Sequence, residues 1–402
     1  VADFANTGAP SIASIQVTNI GQGLLYAHHN LGGDPPNWST STVLPSPGFP
    51  IHIEATDIDG DSLTDIVVVS LFGNGPTWYR NDGNDPPTFI ATVIPSGFAG
   101  APSGLHVVDL DQDGDQDILI GVSDAGLLLL RNLGGAPVQF QSEVLDPTIP
   151  PTSGISSADI DGDGDLDILF ASGAFGFDML RWYENVSVDP VVFTPHDFAP
   201  SIGGYIAVCG CDMDDDGDMD IAAGNHSGDL FWFENMDGAG LQFVEHEINP
   251  ASGANSFGPI IKILSADFDR DGDCDLVTAQ LGGDAIRWHE NVGAPAQQFI
   301  THIVSTMIDG QGVAIGDING DGQLDLATAF DPDFRGTVNW HENLFHLPAD
   351  LNDDGLVNGA DLAQILIGWG EDQGFGADLT GDGVVNGADL ATLLTNWGAV
   401  TP

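Results

Sequence analysis

Positive charge is nearly missing from this sequence: seven lysines and arginines stand against sixty acids, a formal charge of −53. A surface of that sign repels phosphate backbones and anionic headgroups, which excludes nucleic acid and acidic membranes as partners. No run of 18 apolar residues occurs, so no membrane insertion is expected. Cysteine is scarce, at Cys209, Cys211 and Cys274 only; a Cys211–Cys274 bridge and free buried thiols both fit. Catalytic signatures are also lacking: there is no G-x-S-x-G, H-E-x-x-H or P-loop, and no G-x-G-x-x-G between a strand and a helix. A non-enzymatic protein is expected. Disorder, the usual fate of a strongly acidic chain, is excluded by 21 Phe, 8 Trp and 42% hydrophobic residues in regular runs.

What is abundant is aspartate and glycine in fixed phase. The string D-x-D-x-D-G-x-x-D, with small variations, starts at Asp57, Asp109, Asp159, Asp212, Asp267 and Asp317, about 50 residues apart. A second signature follows each string: "WYRN" (78–81), "LLRN" (129–132), "WYEN" (182–185), "WFEN" (232–235) and "WHEN" (288–291 and 340–343). A third, such as "FITHIV", follows five of these. A seventh copy lies at the start, where "VADFANTGAPSIASIQ" (1–16) aligns without a gap to residues 265–280. Asp3 and Gly8 keep their places there, while Ala5, Thr7 and Ser11 replace aspartates. Each full repeat holds four short β-like runs, for example "LHVVD", "DILIGV", "LLLLRN" and "FQSEVL". Four strands repeated seven times predict an all-β, seven-bladed propeller over residues 1–347, with a two-sheet sandwich as runner-up. The last repeat lacks its fourth strand and the first lacks most of its first strand, which leaves an edge open to strand addition.

In the acidic string, residues one, three and five converge in a tight turn that glycine at position six permits. The carbonyl of position seven and the Asp at position nine close the cage. Two like charges at 4 Å repel by roughly 4 kcal/mol at an effective dielectric near 20, so converging carboxylates demand a cation. Hard oxygen donors in this number suit Ca²⁺. The expected ligands are Asp57, Asp59, Asp61 and Asp65, with Ser62 replacing the glycine, then Asp109, Asp111, Asp113 and Asp117. Asp159, Asp161, Asp163 and Asp167 follow, then Asp212, Asp214, Asp216 and Asp220. The last sets are Asp267, Asp269, Asp271 and Asp275, and Asp317, Asn319, Asp321 and Asp325. These repeats resemble the FG-GAP or VCBS repeats of integrin-type propellers and many secreted bacterial proteins. The resemblance covers residues 1 to about 345. It implies a calcium ion in each loop between the first two strands of a blade, about six in all, and none in the degenerate first repeat.

From residue 348 to 402 the period changes to two twelve-residue loops, "DLNDDGLVNGAD" and "DLTGDGVVNGAD", each followed by an apolar segment. Positions 1, 3, 5, 9 and 12 are Asp350, Asn352, Asp354, Asn358 and Asp361, then Asp378, Thr380, Asp382, Asn386 and Asp389. Leu362, Ile365, Leu366 and Trp369 share one helical face, as do Leu390, Leu393, Leu394 and Trp397. This tail resembles a type I dockerin, a small α-helical module with two calcium ions. That implies docking onto a cohesin-like protein; neighbouring copies of this chain are the other candidate partner. A structural cap on the propeller is the plainer alternative.

The recurring Trp78, Trp182, Trp232, Trp288 and Trp340 read as core between blades before they read as a sugar-stacking platform. His196, His246 and His302 recur on separate repeats, which argues against a shared metal site. Asn37, Asn185 and Asn225 begin N-x-S sequons. The sequence shows no start Met and no basic segment followed by an apolar one, so either a secretion signal has been removed or none existed; removal is favoured because millimolar calcium is found outside cells, and a secreted or cell-surface bacterial protein is expected. The leading function is a calcium-binding scaffold or adhesion protein assembled through protein contacts, in the extreme head-to-tail into filaments. The alternatives are a lectin-like propeller binding glycans and a polysaccharide-degrading enzyme.

Overall fold

In the computed structural model the strands arrange as sequential antiparallel sheets, one per repeat. It describes all residues except 6–7, 20–21, 33–35, 74, 85, 99, 124, 151–153, 174–178, 189–190, 199–203, 250–257, 282–285, 294–297, 306–309, 331–336, 344–348, 350, 352–356, 372–376, 378, 380–383, 396 and 398–402.

Blade 1 holds β1 (Ile12–Asn19), β2 (Gln22–Asn30) and β3 (Trp38–Pro47). Blade 2 holds β4 (Pro50–Thr56), β5 (Asp65–Ser70), β6 (Thr77–Asn81) and β7 (Phe89–Val93). Blade 3 holds β8 (Pro102–Val108), β9 (Asp117–Val122), β10 (Gly126–Asn132) and β11 (Phe140–Asp146). Blade 4 holds β12 (Gly154–Ala158), β13 (Asp167–Ser172), β14 (Met179–Val188) and β15 (Val191–Asp197). Blade 5 holds β16 (Tyr205–Cys211), β17 (Asp220–Asn225), β18 (Leu230–Asn235) and β19 (Phe243–Asn249). Blade 6 holds β20 (Ile260–Ala266), β21 (Asp275–Gln280), β22 (Ile286–Asn291) and β23 (Phe299–Ser305). Blade 7 holds β24 (Gly310–Gly316), β25 (Asp325–Phe330) and β26 (Thr337–His341). Among the described residues blade 7 has no fourth strand, and the first strand of blade 1 is reduced to one bridge, Ala2 with Ser11.

Burial explains the strand patterns. The second strand of a blade lies between two neighbouring blades, so both of its faces are covered. Accordingly "DILIGV" of β9 is apolar after its leading aspartate, and every residue of it is buried. The fourth strand faces solvent, and "FQSEVLD" of β11 is mostly exposed. Seven apolar clusters fill the seven blade junctions, including Ile12 of blade 1 with Ile318 and Ala327 of blade 7. Among the described residues the ring therefore closes by side-chain packing without a shared sheet. Cys211 is bridged to Cys274, stapling blade 5 to blade 6, while Cys209 stays a free, buried thiol whose pKa burial pushes up to about 12.

The tail forms α1 (Gly359–Ile367), β27 (Gly370–Glu371), β28 (Val384–Val385) and α2 (Gly387–Thr395) around its own small core of Ala349, Val357, Ile365, Ala377, Val385 and Leu393. The expected helical faces are only half used. Ile365 and Leu393 are buried, whereas Leu366 is 58% exposed, Trp369 51%, Leu394 54% and Trp397 46%. In a core this small, two short helices have room to bury one stripe each.

Candidate metal centres

Each acidic loop joins the first strand of its blade to the second. Position two, always apolar, is the anchor: Phe4, Ile58, Leu110, Ile160, Met213, Phe268 and Ile318 are all at most 6% exposed. Burying that side chain turns its neighbours, positions one and three, toward the loop interior. The N–H of position six donates to the first aspartate in all seven loops, from Gly8 to Asp3 Oδ2 through Gly322 to Asp317 Oδ2, at 2.6–3.2 Å. This residue is left-handed everywhere, with φ between +68° at Ser62 and +99° at Gly272, which is why glycine is nearly fixed there. Position four is left-handed as well, at Gln112 (+56°), Asp215 (+59°) and Arg270 (+63°), a second strained position that the sequence pattern did not reveal. In the six acidic loops the carboxylate of position five accepts the N–H of position seven at 2.8–2.9 Å.

In blades 3, 5 and 6 these bonds use Oδ2 of the first aspartate and leave its Oδ1 without a donor, whereas in blades 2, 4 and 7 both oxygens of Asp57, Asp159 and Asp317 accept loop N–H groups. Asp57, Asp59 and Asp61 bring oxygens within 4.8 Å of one another, as do Asp109, Asp111 and Asp113, and Asp267, Asp269 and Asp271. In blades 4 and 5 the trios within that distance are Asp159, Asp161, Asp167 and Asp212, Asp214, Asp220, so position nine stands in them where Asp163 and Asp216 were expected. The Oδ1 atoms of Asp59, Asp109, Asp111, Asp212, Asp214 and Asp267 are buried and have no hydrogen-bond donor. Such oxygens need a proton or a cation. The donor set is oxygen only, which fits a hard dication. Blade 7 is weaker: Asn319 Nδ2 donates to Asp321 Oδ2 at 2.9 Å, so an amide already serves one carboxylate there.

Position nine does more than close a cage. Asp65, Asp117, Asp167, Asp220, Asp275 and Asp325 are at most 1% exposed. One oxygen of each accepts the N–H of position two at 2.8–3.3 Å. The other accepts the N–H of the asparagine that ends the third-strand signature, at 2.7–2.8 Å. Burial pushes Asp117, Asp167 and Asp220 up to about 7, and Asp65 and Asp275 to about 6.

That asparagine was missed as a functional residue. Its side-chain amide crosses to the preceding blade and donates to the carbonyl of position two: Asn81 to Phe4, Asn132 to Ile58, Asn185 to Leu110, Asn235 to Ile160, Asn291 to Met213 and Asn343 to Phe268, at 2.8–3.0 Å. Asn30 completes the circle on Ile318 at 2.6 Å. Every acidic loop is thus tied to the next blade. The signal was visible in the invariant last letter of "WYRN" and "WHEN".

The residue before the asparagine divides the loops into two kinds. Arg80 reaches back to Asp59 and to Asp61, and Arg131 to Asp111. Blades 4 to 6 have Glu184, Glu234 and Glu290 instead, each bonded to a fourth-strand histidine: His196 (2.8 Å), His246 (2.7 Å) and His302 (2.6 Å). These rings stack on Trp182, Trp232 and Trp288, with centroids 4.5–4.6 Å apart. The tryptophans beneath are at most 9% exposed, so they are core and offer no open face for a sugar ring. Burial first and neighbouring carboxylates second, Glu184 and Glu234 among them, raise the pKa values of Asp161 and Asp214. Two of the sequons fall on buried residues: Asn185 is 0% and Asn225 4% exposed.

In the tail, Asp361 and Asp389 are fully buried, and each accepts the N–H of its loop's asparagine, Asn358 or Asn386, at 2.7 Å. Asn358 caps α1 through a capping box with Asp361. Asp350, Asn352, Asp354, Asp378, Thr380 and Asp382 lie outside the described residues.

Among solved structures the chain is similar to an Agrocybe aegerita lectin whose structure addresses specific recognition of non-reducing terminal N-acetylglucosamine. The two share 18% identity with a TM-score of 0.54, over 85% of this chain and 93% of that one. It is also similar to BBS1N from its complex with ARL6DN, at 11% identity and a TM-score of 0.51, over 85% and 90% of the two chains. Both likenesses are of fold. No curated protein matches. The FG-GAP-like repeat matches residues 57–120, 109–170, 212–278 and 267–328, together more than half of the sequence, and the chain belongs to that family.

Proposed function

We propose that this protein is a calcium-loaded, non-enzymatic scaffold, secreted or displayed at the cell surface, that works by holding protein partners. The observation that carries the calcium reading is the set of buried, donor-free carboxylate oxygens repeated at the same loop positions in blades 2, 3, 5 and 6. Asp57, Asp59, Asp61 and their counterparts would hold the ion, and its chemistry would be structural: it cancels the loop's repulsion and fixes the first hairpin of the blade. The tail is read as a dockerin-like module with two further calcium ions. Its exposed Leu366, Trp369, Leu394 and Trp397 come in pairs 28 residues apart, one per loop–helix unit, which suits docking onto a cohesin-like protein or a second copy of this chain.

Light scattering in millimolar calcium tests the scaffold reading, on the whole chain and on a Trp369→Ser, Trp397→Ser variant. Polymers that the variant loses support self-assembly. Monomers in both cases direct the search to cohesin-like partners. A second reading, glycan binding by the propeller, draws on the lectin neighbour; a glycan array answered by the whole chain would support it. Turnover of any polysaccharide would contradict the non-enzymatic reading.

A further inference from the structure

The first strands of neighbouring blades lie side by side, β4 by β8, β8 by β12 and β12 by β16, so they line the axis of the ring. Three of them in succession carry an acid, a base and a hydroxyl. Glu54 stands three residues before the acidic string of blade 2, and His106 three before that of blade 3. Ser157 stands two before that of blade 4.

The stagger between strands joins these side chains into a row. His106 Nε2 lies 2.9 Å from Ser157 Oγ, and His106 Nδ1 lies 3.5 Å from Glu54 Oε1. Glu54 Oε2 accepts the N–H of Val107 at 2.7 Å, which fixes the carboxylate beside the ring. An ionised carboxylate only accepts, so it selects the tautomer with the proton on Nδ1. Nε2 is then a lone pair, and the Ser157 hydroxyl donates to it. An oriented carboxylate, an imidazole and a hydroxyl in this sequence activate a serine. The side chains of Glu54 and His106 are 23% and 21% exposed and Ser157 is partly buried, so a small molecule can reach the row.

The backbone adds a donor for the attacked group. Val107, opposite Ile118, turns its N–H off its own ladder to Glu54. Ser157 holds the same register opposite Ile168, so its N–H also points off the ladder, next to its own Oγ. The oxygen of a carbonyl attacked by Oγ would find that N–H. Blade 6 supplies an internal control. Ser265 stands at the register position of Ser157, and its hydroxyl donates to the Gly210 carbonyl at 3.2 Å. In the place of His106, one blade back, is Cys209, a thiol that burial pushes up to about 12 and that offers no base.

We infer that Ser157 is an activated nucleophile that accepts an acyl group from an ester, with His106 as its base and Glu54 as the positioning residue that orients His106. Ser157 Oγ attacks the carbonyl carbon of the ester while its proton passes to His106 Nε2. Glu54 stabilises the imidazolium so formed. The bond from that carbon to the alkoxy oxygen then breaks, the proton moves from Nε2 to the departing oxygen, and an alcohol leaves. The product is a serine ester on the inner wall of the ring. One such modification needs no turnover, so the inference goes beyond the scaffold reading, and neither the acidic loops nor the tail takes part in it.

The probe is p-nitrophenyl acetate, added to the whole chain in millimolar calcium and followed by nitrophenolate release, intact mass and peptide mapping. One acetyl group per chain is expected, on Ser157, formed about a hundredfold faster than in the urea-unfolded chain. Ser157→Ala should abolish it and Ser265→Ala should leave it unchanged. His106→Ala should slow it about a hundredfold, the contribution of a positioned base, and added imidazole should restore part of the rate. Glu54→Gln should slow it about tenfold, and Glu54→Asp should recover part of that loss. Melting temperatures and calcium binding of the variants show that they are folded; His106→Gln serves where His106→Ala is not. Acetyl groups on Lys262, the one lysine of the chain, or on scattered histidines in place of Ser157 overturn the inference. So does a folded chain that reacts no faster than the unfolded one, or acetylation of Ser157 at the parent rate without His106.

Discussion

Blades 2 and 3 and blades 4 to 6 solve the same electrostatic problem in different ways. Their acidic loops share spacing, turn conformation and hydrogen bonds. The first pair place Arg80 and Arg131 among the carboxylates, so each loop carries its own cation. In blades 4 and 5, Glu184 and Glu234 stand there instead and add charge beside Asp161 and Asp214, while blade 6 has Glu290 there and Arg270 at position four of its own loop. A guanidinium held by a carboxylate at a partly exposed site contributes about 1 kcal/mol or less, so Arg80 and Arg131 moderate the repulsion without abolishing it. One motif can thus mark sites of unequal need for metal, and the residue that grades them lies about 20 positions downstream on another strand.

Calcium removal should have the largest effect and should fall unevenly. At free calcium a hundredfold above Kd, each filled site adds about 2.7 kcal/mol, so chelation should lower the melting temperature steeply. Amide exchange after chelation should open the acidic loops of blades 4 and 5 before those of blades 2 and 3. Equal opening would break the comparison.

The pH dependence of the metal-free protein sharpens it. Burial lifts Asp117, Asp167 and Asp220 to about 7 in the fold, well above the value near 4 of an unfolded aspartate. The folded state therefore holds more protons. The contribution of these groups is fully present below about pH 4 and is lost as pH rises through about 7. Melting temperatures in chelator should fall from pH 5 to pH 8. Saturating calcium, which stabilises the charged form, should flatten that slope.

Cutting the staple between blades 5 and 6 comes next. The Cys211–Cys274 bridge spans 63 residues, and on the chain-entropy account Cys274→Ser costs about 4 kcal/mol by denaturant unfolding. Asn235→Ala removes the tie from blade 5 to Ile160 and should cost about 1–3 kcal/mol. Because Ile160 belongs to the acidic loop of blade 4, exchange should rise in that loop as well as at the mutated site. The smallest effect is the most diagnostic. Arg131→Glu should make blade 3 resemble blades 4 and 5 and raise its dependence on calcium. Glu234→Arg should do the reverse in blade 5. Shifts of about tenfold in calcium affinity at the altered loop, about 1.4 kcal/mol, are expected in opposite directions.

Much of this was legible in the sequence. The repeat phase, the degenerate first copy and the loops' place in each blade all follow from residues repeated at fixed intervals. Local spacing carries that information because turn geometry is local. The asparagine ties were not legible, since each joins groups 74–78 residues apart, or 288 for Asn30, and only folding brings them together. The left-handed position four was hidden because Gln112, Asp215 and Arg270 occupy it in place of glycine. The histidines read as surface residues because their partners, Trp182 and Glu184 for His196, lie on the adjacent strand. In the tail, helical periodicity put Leu366 on the apolar face, but periodicity does not say how much of a face a core of that size can cover.

The most direct test of the central claim is calorimetric titration of the metal-free whole chain with calcium, paired with melting curves. The account predicts about one ion for each of the six acidic loops, with two more in the tail, and a melting temperature that rises as they fill. A chain that takes up no calcium and melts at the same temperature in chelator and in calcium would contradict it.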